Sequence, residues 1–330
     1  MPNKKNSKSK YRKKRKKKTA DIIALLLIIV VLFFAGIALK DYILAKIISF
    51  EVARVDVINE YTPAKAYVFR HEYQVLAPVA GEFAPSLAEG ERVKDNTIIG
   101  YIKGTGTSKT AVYATEAGIV SYSLDGMEKQ MSADNLEKTD LDKITRLFPI
   151  SKENDEENFP NQSKGRPVAR IVDNLLDYNV LLVADESTND QGEKVTLPED
   201  GRVKFVIIDD TASSDAGIQT FSASIEQNGT ISAGSYLLTD VSSEESYFLN
   251  NRYFAVSLIT ESYSGIVVPA SAIIEKDGKQ GVYIRSKNVL AFQEVKVDGI
   301  IGKEAVIEGV DAGTDVVENA KIAKEGRRIY

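Results

Sequence analysis

Catalysis and ligand binding need side chains that attack, transfer protons or ligate, and this sequence is short of them. It has no Cys and no Trp, and its one His is His71. A thiol nucleophile, a disulfide framework and a cysteine-held metal are therefore excluded. His71 stands between Arg70 and Glu72 in the apolar-rich run Tyr67 to Tyr73. With no second His or Cys to converge on a metal, it reads as a strand surface residue rather than a ligand or base. Gly104-x-Gly106 followed by Lys109-Thr110 has the residue types of a phosphate loop, but neither its full spacing nor a helix after it. The acidic run Glu153, Asp155, Glu156, Glu157 lacks the Gly and terminal Glu of a calcium loop and reads as a solvated charge run. The remaining carboxylates sit in turn-like segments with no nucleophile paired to a base. The expectation is a protein that is not an enzyme, with no catalytic residue, metal or cofactor.

The elements that position these residues begin with a strong charge asymmetry. The chain has 330 residues and a net charge of −5, yet residues 1–18 hold eleven Lys or Arg and no acid, which leaves −16 on the rest. Such a division bears on partners and topology, not on fold. Ile22 to Leu39 then run without a charge, and at a rise of about 1.5 Å per residue that run with its flanks crosses a hydrocarbon core of roughly 30 Å. The basic tail holds the N-terminus in the cytoplasm and sends the body outside. Contact of the tail with nucleic acid is the alternative, and none is expected. Gly36-Ile37-Ala38 offers a small-x-small cleavage pattern, but the apolar core exceeds the ~7–15 residues of a signal peptide, so a retained single-pass anchor in the cell membrane is expected.

The body reads as strands. Phe50 to Val57 and Tyr67 to Tyr73 alternate, with Pro63 marking a break between them. Val75 to Glu128 is one β-rich repeat written twice. The first copy carries Ala77-Pro78-Val79-Ala80-Gly81, Gly90-Glu91-Arg92-Val93 and Ile98 to Ile102; the second carries Ala114 to Val120 and closes at Asp125-Gly126. Glycines fall at turn positions, where a positive φ costs other residues most. Met131 to Phe148 spaces its apolar residues as one or two short amphipathic helices, with Ser132, Asp134, Asp140 or Asp142 as caps, packed on the double motif or beneath it. From Pro167 short strands follow one another: Val168 to Val172, Asn179 to Ala184, Arg202 to Ile208, Thr220 to Glu226, Tyr236 to Asp240 and Tyr253 to Thr260. Their spacing argues for an antiparallel barrel or sandwich. Lys276-Asp277-Gly278-Lys279 marks a hairpin turn.

The two halves facing each other resemble the biotinyl/lipoyl domain. Carriers of that kind present a modified Lys at a tight turn as Met-Lys-Met or Asp-Lys-Ala, whereas Lys109 lies between Ser108 and Thr110, so neither biotin nor lipoate is expected. The wider order of motifs resembles the haemolysin-D-like membrane-fusion, or periplasmic adaptor, family. It is carried by the anchor, Ala77-Pro78 with Gly81, Gly90-x-x-Val93, Ala117 to Val120, Arg252 to Ile259 before Gly265 to Ile273, the Asp277 to Ile284 hairpin, and Gly309-x-x-x-Gly313-x-x-Val316-Val317. Family members that reach an outer-membrane duct insert a long helical hairpin between the lipoyl halves. Here only Lys103 to Thr110 lie there, too few for a coiled coil, as in the short members of Gram-positive bacteria.

The resemblance implies a mainly β fold. In order it gives a basic tail (1–18), a transmembrane helix (19–40), membrane-proximal strands (41–73), a lipoyl-like barrel-sandwich hybrid (74–128), short helices with an acidic linker (129–166), a β-barrel (167–262) and a membrane-proximal β domain (263–330). Pro78, Gly81, Gly90, Gly118 and Gly126 are the expected turns of the motif. Lys103, Gly104, Thr105, Gly106, Thr107, Ser108, Lys109 and Thr110 are the expected partner-binding tip. The implied function is an adaptor docked on the outer face of an export or efflux transporter, of the ABC type on this reading, anchored in the bilayer and assembled as a homo-oligomer. A cell-envelope scaffold for division or wall assembly is the alternative.

Overall fold

The computed structural model describes residues 25–36, 40, 43, 46–104, 108–148, 162–184, 197–207, 219–242 and 247–329. Residues 25–36 are helical, with their apolar side chains exposed. No helix among the described residues is long and apolar enough to cross a membrane. The basic tail, the ends of the expected span and the acidic run at 153–157 lie outside the described residues.

The strands follow in chain order: β1 (Phe50–Val52), β2 (Arg54–Phe69), β3 (Glu72–Leu76), β4 (Glu82–Pro85), β5 (Arg92–Val93), β6 (Ile98–Lys103), β7 (Lys109–Tyr113), β8 (Gly118–Ser121), β9 (Pro167–Val172) and β10 (Tyr178–Ala184). After them come β11 (Arg202–Ile207), β12 (Thr220–Ile231), β13 (Gly234–Val241), β14 (Tyr253–Pro269), β15 (Ile274–Lys276), β16 (Lys279–Ser286), β17 (Val289–Glu294), β18 (Lys296–Ile301), β19 (Glu304–Glu308) and β20 (Asp315–Val317). The chain divides into two compact units, Met1–Ile58 with Tyr263–Tyr330, and Asn59–Ser262.

The Asn59–Ser262 unit holds a sandwich and a barrel. The sandwich has a four-stranded sheet, β3-β9-β8-β5, and a three-stranded sheet, β4-β6-β7. Its core is Val75, Phe83, Ile99, Ile102, Val112, Val120, Val168 and Ile171 with smaller neighbours. In the barrel, β11-β12-β13-β10-β2-β14 closes on itself through a β11–β14 pairing, which removes free edges. Alternation fills it: Val203 and Phe205 of β11 point in, while Arg202 and Lys204 point to solvent.

Two strands break that alternation for a physical reason. In β10, Val180, Leu182 and Ala184 face the barrel core, yet Leu181 and Val183 are buried as well. Likewise Ala66 and Val68 of β2 face inward, while Tyr67 and Phe69 are buried on the outer side. A helical insert covers this outer wall: a 3-10 helix, Ala133–Lys138, and an α-helix, Leu141–Leu147. Asp140 caps the second by accepting from the Lys143 N–H at 3.1 Å. Met127, Met131 and Ile144 pack against Tyr67, Phe69, Leu181, Val183 and Tyr236, and Phe148 meets the Tyr67 and Tyr253 rings at 5.7 and 5.8 Å. The insert thus rests on the barrel, not on or beneath the sandwich, because the apolar partners it needs lie on β2, β10 and β13.

Further differences from the sequence reading follow from pairing. Pro63 does not end a strand: β2 runs on through it, and the ladder described with β10 covers Ala64 to Phe69. Residues 64–69, read as membrane-proximal, are barrel wall. The stretch 167–172, read as the first barrel strand, instead lies between β3 and β8 of the sandwich. The sandwich therefore spans Glu72 to Val172 rather than 74–128, with the insert as an excursion within it.

In the other unit, β1-β20-β16-β15, with β17 on β16, form one sheet, while the end of β14 pairs with β19, which in turn pairs with β18. Lys276 and Lys279 pair across the hairpin, with Asp277 at φ 52° and Gly278 at φ 77°, the two positive angles of a type I′ turn.

Candidate functional site

The expected tip is the β6–β7 hairpin end. Lys103 and Lys109 are exposed and directly opposed across the ladder, with Gly104, Ser108 and Thr110 beside them; Thr105, Gly106 and Thr107 lie outside the described residues. Like charges facing each other at a strand pair cost local stability. Glu82 of β4 flanks Lys103 on its other side.

The expected turn residues separate into two kinds. Gly90 and Gly126 hold φ of 80° and 76° in open space, and Pro78 is exposed between β3 and β4. Gly81 combines φ 153° with close approach, since a Cβ there would lie 2.3 Å from the Lys103 carbonyl oxygen. Gly118 is no turn: it opens β8, buried, and a Cβ would lie 2.4 Å from the Val172 carbonyl oxygen. Its missing side chain lets β8 and β9 come together.

Sequence reading missed the most charged place in the interior. Arg170 in β9, Glu72 at the start of β3 and Asp125 after β8 come from the sandwich; Arg70, just past β2, and Arg252, just before β14, come from the barrel. Side chains of Arg70, Arg170 and Glu72 are 0% exposed, Arg252 2% and Asp125 32%. Arg252 is the clamp, donating from Nη2 to Glu72 Oε1 and from Nε to Asp125 Oδ2. The other Asp125 oxygen accepts from the Met127 N–H at 2.9 Å. Glu128 Oε1 in turn accepts from the backbone N–H of Asp125 and of Gly126, at 2.9 and 3.2 Å, and so pins the Asp-Gly turn that carries the Asp125 carboxylate.

The other two arginines face a four-residue helix, Tyr247–Asn250, whose Phe248 packs in the barrel core. Arg70 Nη1 donates to the Phe248 carbonyl at 2.8 Å and to that of Leu249; Arg170 Nη2 donates to the Leu249 carbonyl at 3.2 Å. These carbonyls end the helix without a further turn to satisfy them, so cationic donors suit them. On its other side Phe248 is buried among Phe205, Phe221 and Phe254, its ring centroid 5.1 Å from Phe221 and 5.5 Å from Phe254.

Electrostatics follow this geometry. Burial pushes the Arg70 pKa down, and Arg170 and Arg252 add to it, ahead of the opposing Glu72 and Asp125. Burial also acts to raise the Asp125 carboxyl, but the charge and hydrogen bond of Arg252, the Met127 N–H and Arg170 outweigh it and hold the group below its ordinary range. For Arg252, burial is outweighed by Glu72 and Asp125, and its pKa is raised. A guanidinium does not deprotonate at ordinary pH, so the three arginines keep their charge in this joint between sandwich and barrel.

His71 lies beside the joint, half-exposed, with Nδ1 2.8 Å from Asp134 Oδ1. An open groove of about 410 Å³ runs along β3, lined by Tyr73, Gln74, Glu116, Glu128, Lys129 and Asp134 among others. Among the described residues, no group of three or more His, Asp or Glu is arranged to hold a metal.

Residues 72–173 match the family model of the RND-related barrel-sandwich hybrid domain, bounds that coincide with the paired strands β3 to β9. Among curated proteins the sequence has no match. The chain is similar to ZneB from Cupriavidus metallidurans, with 13% identity over 82% of this chain and 92% of that one and a TM-score of 0.34. It is also similar to MacA from Actinobacillus actinomycetemcomitans, with 12% identity over 82% and 99% and a TM-score of 0.34. Those likenesses are weak, and the assignment rests on the strand pairing and the matched domain: a mainly β chain containing a barrel-sandwich hybrid.

Proposed function

We propose that the protein is a non-enzymatic adaptor, anchored in the cell membrane by its apolar N-terminal segment, whose body docks on the outer face of an export or efflux transporter. The observation that carries the reading is the match of residues 72–173 to an RND-related barrel-sandwich hybrid, continuous with a closed β-barrel in one compact unit. The haemolysin-D-like order of motifs, the exposed apolar helix at 25–36 and the charge asymmetry of the tail support it. Likeness to the short members of that family in Gram-positive bacteria, a transporter of the ABC type as partner, and assembly into a homo-oligomer belong to the same proposal. The hairpin end bearing Lys103 and Lys109 is the docking surface proposed first, because two exposed cations oppose each other there and Glu82 flanks only Lys103, which suits an acidic partner.

A photo-crosslinking residue at Ser108 of the full chain in intact cells tests this. Recovery of an integral membrane transporter, lost in Lys103→Glu/Lys109→Glu, is the expected result. Recovery of division or wall-assembly proteins alone would overturn the adaptor reading in favour of a cell-envelope scaffold.

A further inference from the structure

The ionic joint has more donors than its acceptors satisfy. Arg70 Nε and Nη2, Arg170 Nε and Nη1, Arg252 Nη1 and Glu72 Oε2 are buried with no hydrogen-bond partner among the described residues. Leaving such atoms unsatisfied is costly, more so when they are charged, so buried groups of this kind find partners. Here the unpartnered atoms are concentrated in one place. Glu72 Oε2 is 3.8 Å from Arg70 Nε and 3.6 Å from Arg170 Nη1. Asp125 Oδ2 is 4.0 Å from Arg70 Nη2 and 3.8 Å from Arg170 Nη1.

Each of these four gaps is too long for a hydrogen bond of roughly 2.7–3.2 Å and within the reach of one bridging water. The gaps share their end atoms: Arg170 Nη1 and both carboxylate oxygens each belong to two of them. One small molecule can therefore serve several at once. Charge selects its class. Three guanidiniums are matched by Glu72, Asp125 and the buried Glu128, whose carboxylate holds the Asp125-Gly126 turn. An added anion would face two carboxylate oxygens across the same gaps. A neutral molecule that both accepts and donates fits, and a buried water typically makes about three such bonds.

We propose that the joint encloses a structural water that accepts from Arg70 and Arg170 and donates to Glu72 Oε2 and Asp125 Oδ2. The junction is then dry on the Arg252 side, where bonds to both carboxylates are direct, and wet on the Arg70 side. This holds whatever partner the protein docks on.

A crystal structure of the full chain in detergent, grown from sodium bromide at a resolution that shows ordered solvent, tests it. An oxygen-sized peak within about 3.2 Å of Arg70, Arg170 and Glu72 Oε2, with no bromine anomalous signal, is expected. A bromide peak at that place would overturn the proposal in favour of an anion. Closure of the four gaps into direct ion pairs with no peak between them would overturn it too.

Discussion

The barrel interior and the ionic joint are buried alike, and one short helix serves both. From Tyr247–Asn250, the Phe248 ring enters an interior of Phe205, Phe221 and Phe254, while the Phe248 and Leu249 carbonyls turn to Arg70 and Arg170. The ring side needs no direction: removing an aromatic side chain from water contributes roughly 1.5–3 kcal/mol wherever the cavity fits it. On the carbonyl side, burying charges costs several kcal/mol per ion, and only the right partners at the right distances offset it. The barrel is held by volume and the junction by angles, so the first supplies stability and the second fixes how the sandwich sits on the barrel.

That contrast can be broken from either end. Arg252→Met strands Glu72 without its nearest cation, and urea unfolding of the full chain should show a loss of about 3–5 kcal/mol. Replacing Glu72 as well, in Arg252→Met/Glu72→Leu, should restore much of that loss; two additive losses would mean that the pair does not act as a unit. Phe248→Ala should cost a similar ~3–5 kcal/mol by opening a cavity, with no rescue from any charge substitution. Gly118→Ala should cost about 1–3 kcal/mol, because the backbone of β9 must move to admit the methyl group, read as a shift in urea midpoint.

The smallest effect is in pH. The folded Asp125 carboxyl lies below its ordinary value of 3.8, so its contribution is complete above that value and is lost as pH falls through the lower folded pKa. The stability difference between wild type and Asp125→Asn should therefore be level above about pH 5 and narrow below pH 4. A difference that grows on acidification would mean that the carboxyl is not held down by Arg252.

Local signals in the sequence carried far. Asp277-Gly278 specifies its turn by the two positive φ angles it needs, and Asp140 caps its helix from three residues away. Long-range pairing was not legible. Pro63 reads as a break because proline lacks a backbone donor, yet β2 runs on through it. Val168 to Val172 reads as a strand in either setting, and only its partners place it in the sandwich. One signal was present and unused: Arg170 interrupts a run buried on both faces, and a charge there implies buried partners. Which carboxylates those are depends on strands about 45 to 100 residues away in sequence, beyond any periodicity.

The insert that covers β2 and β10 makes the sandwich inseparable from its neighbour. Cut out as residues 72–173, the hybrid domain would carry Met131 and Ile144 with nothing to cover them, and would leave Tyr67, Leu181 and Val183 bare on what remained. It would also part Arg170 and Glu72 from Arg70 and Arg252. The hybrid domain is stitched to its neighbour here, so truncation or domain exchange in this chain must move Asn59–Ser262 as one piece.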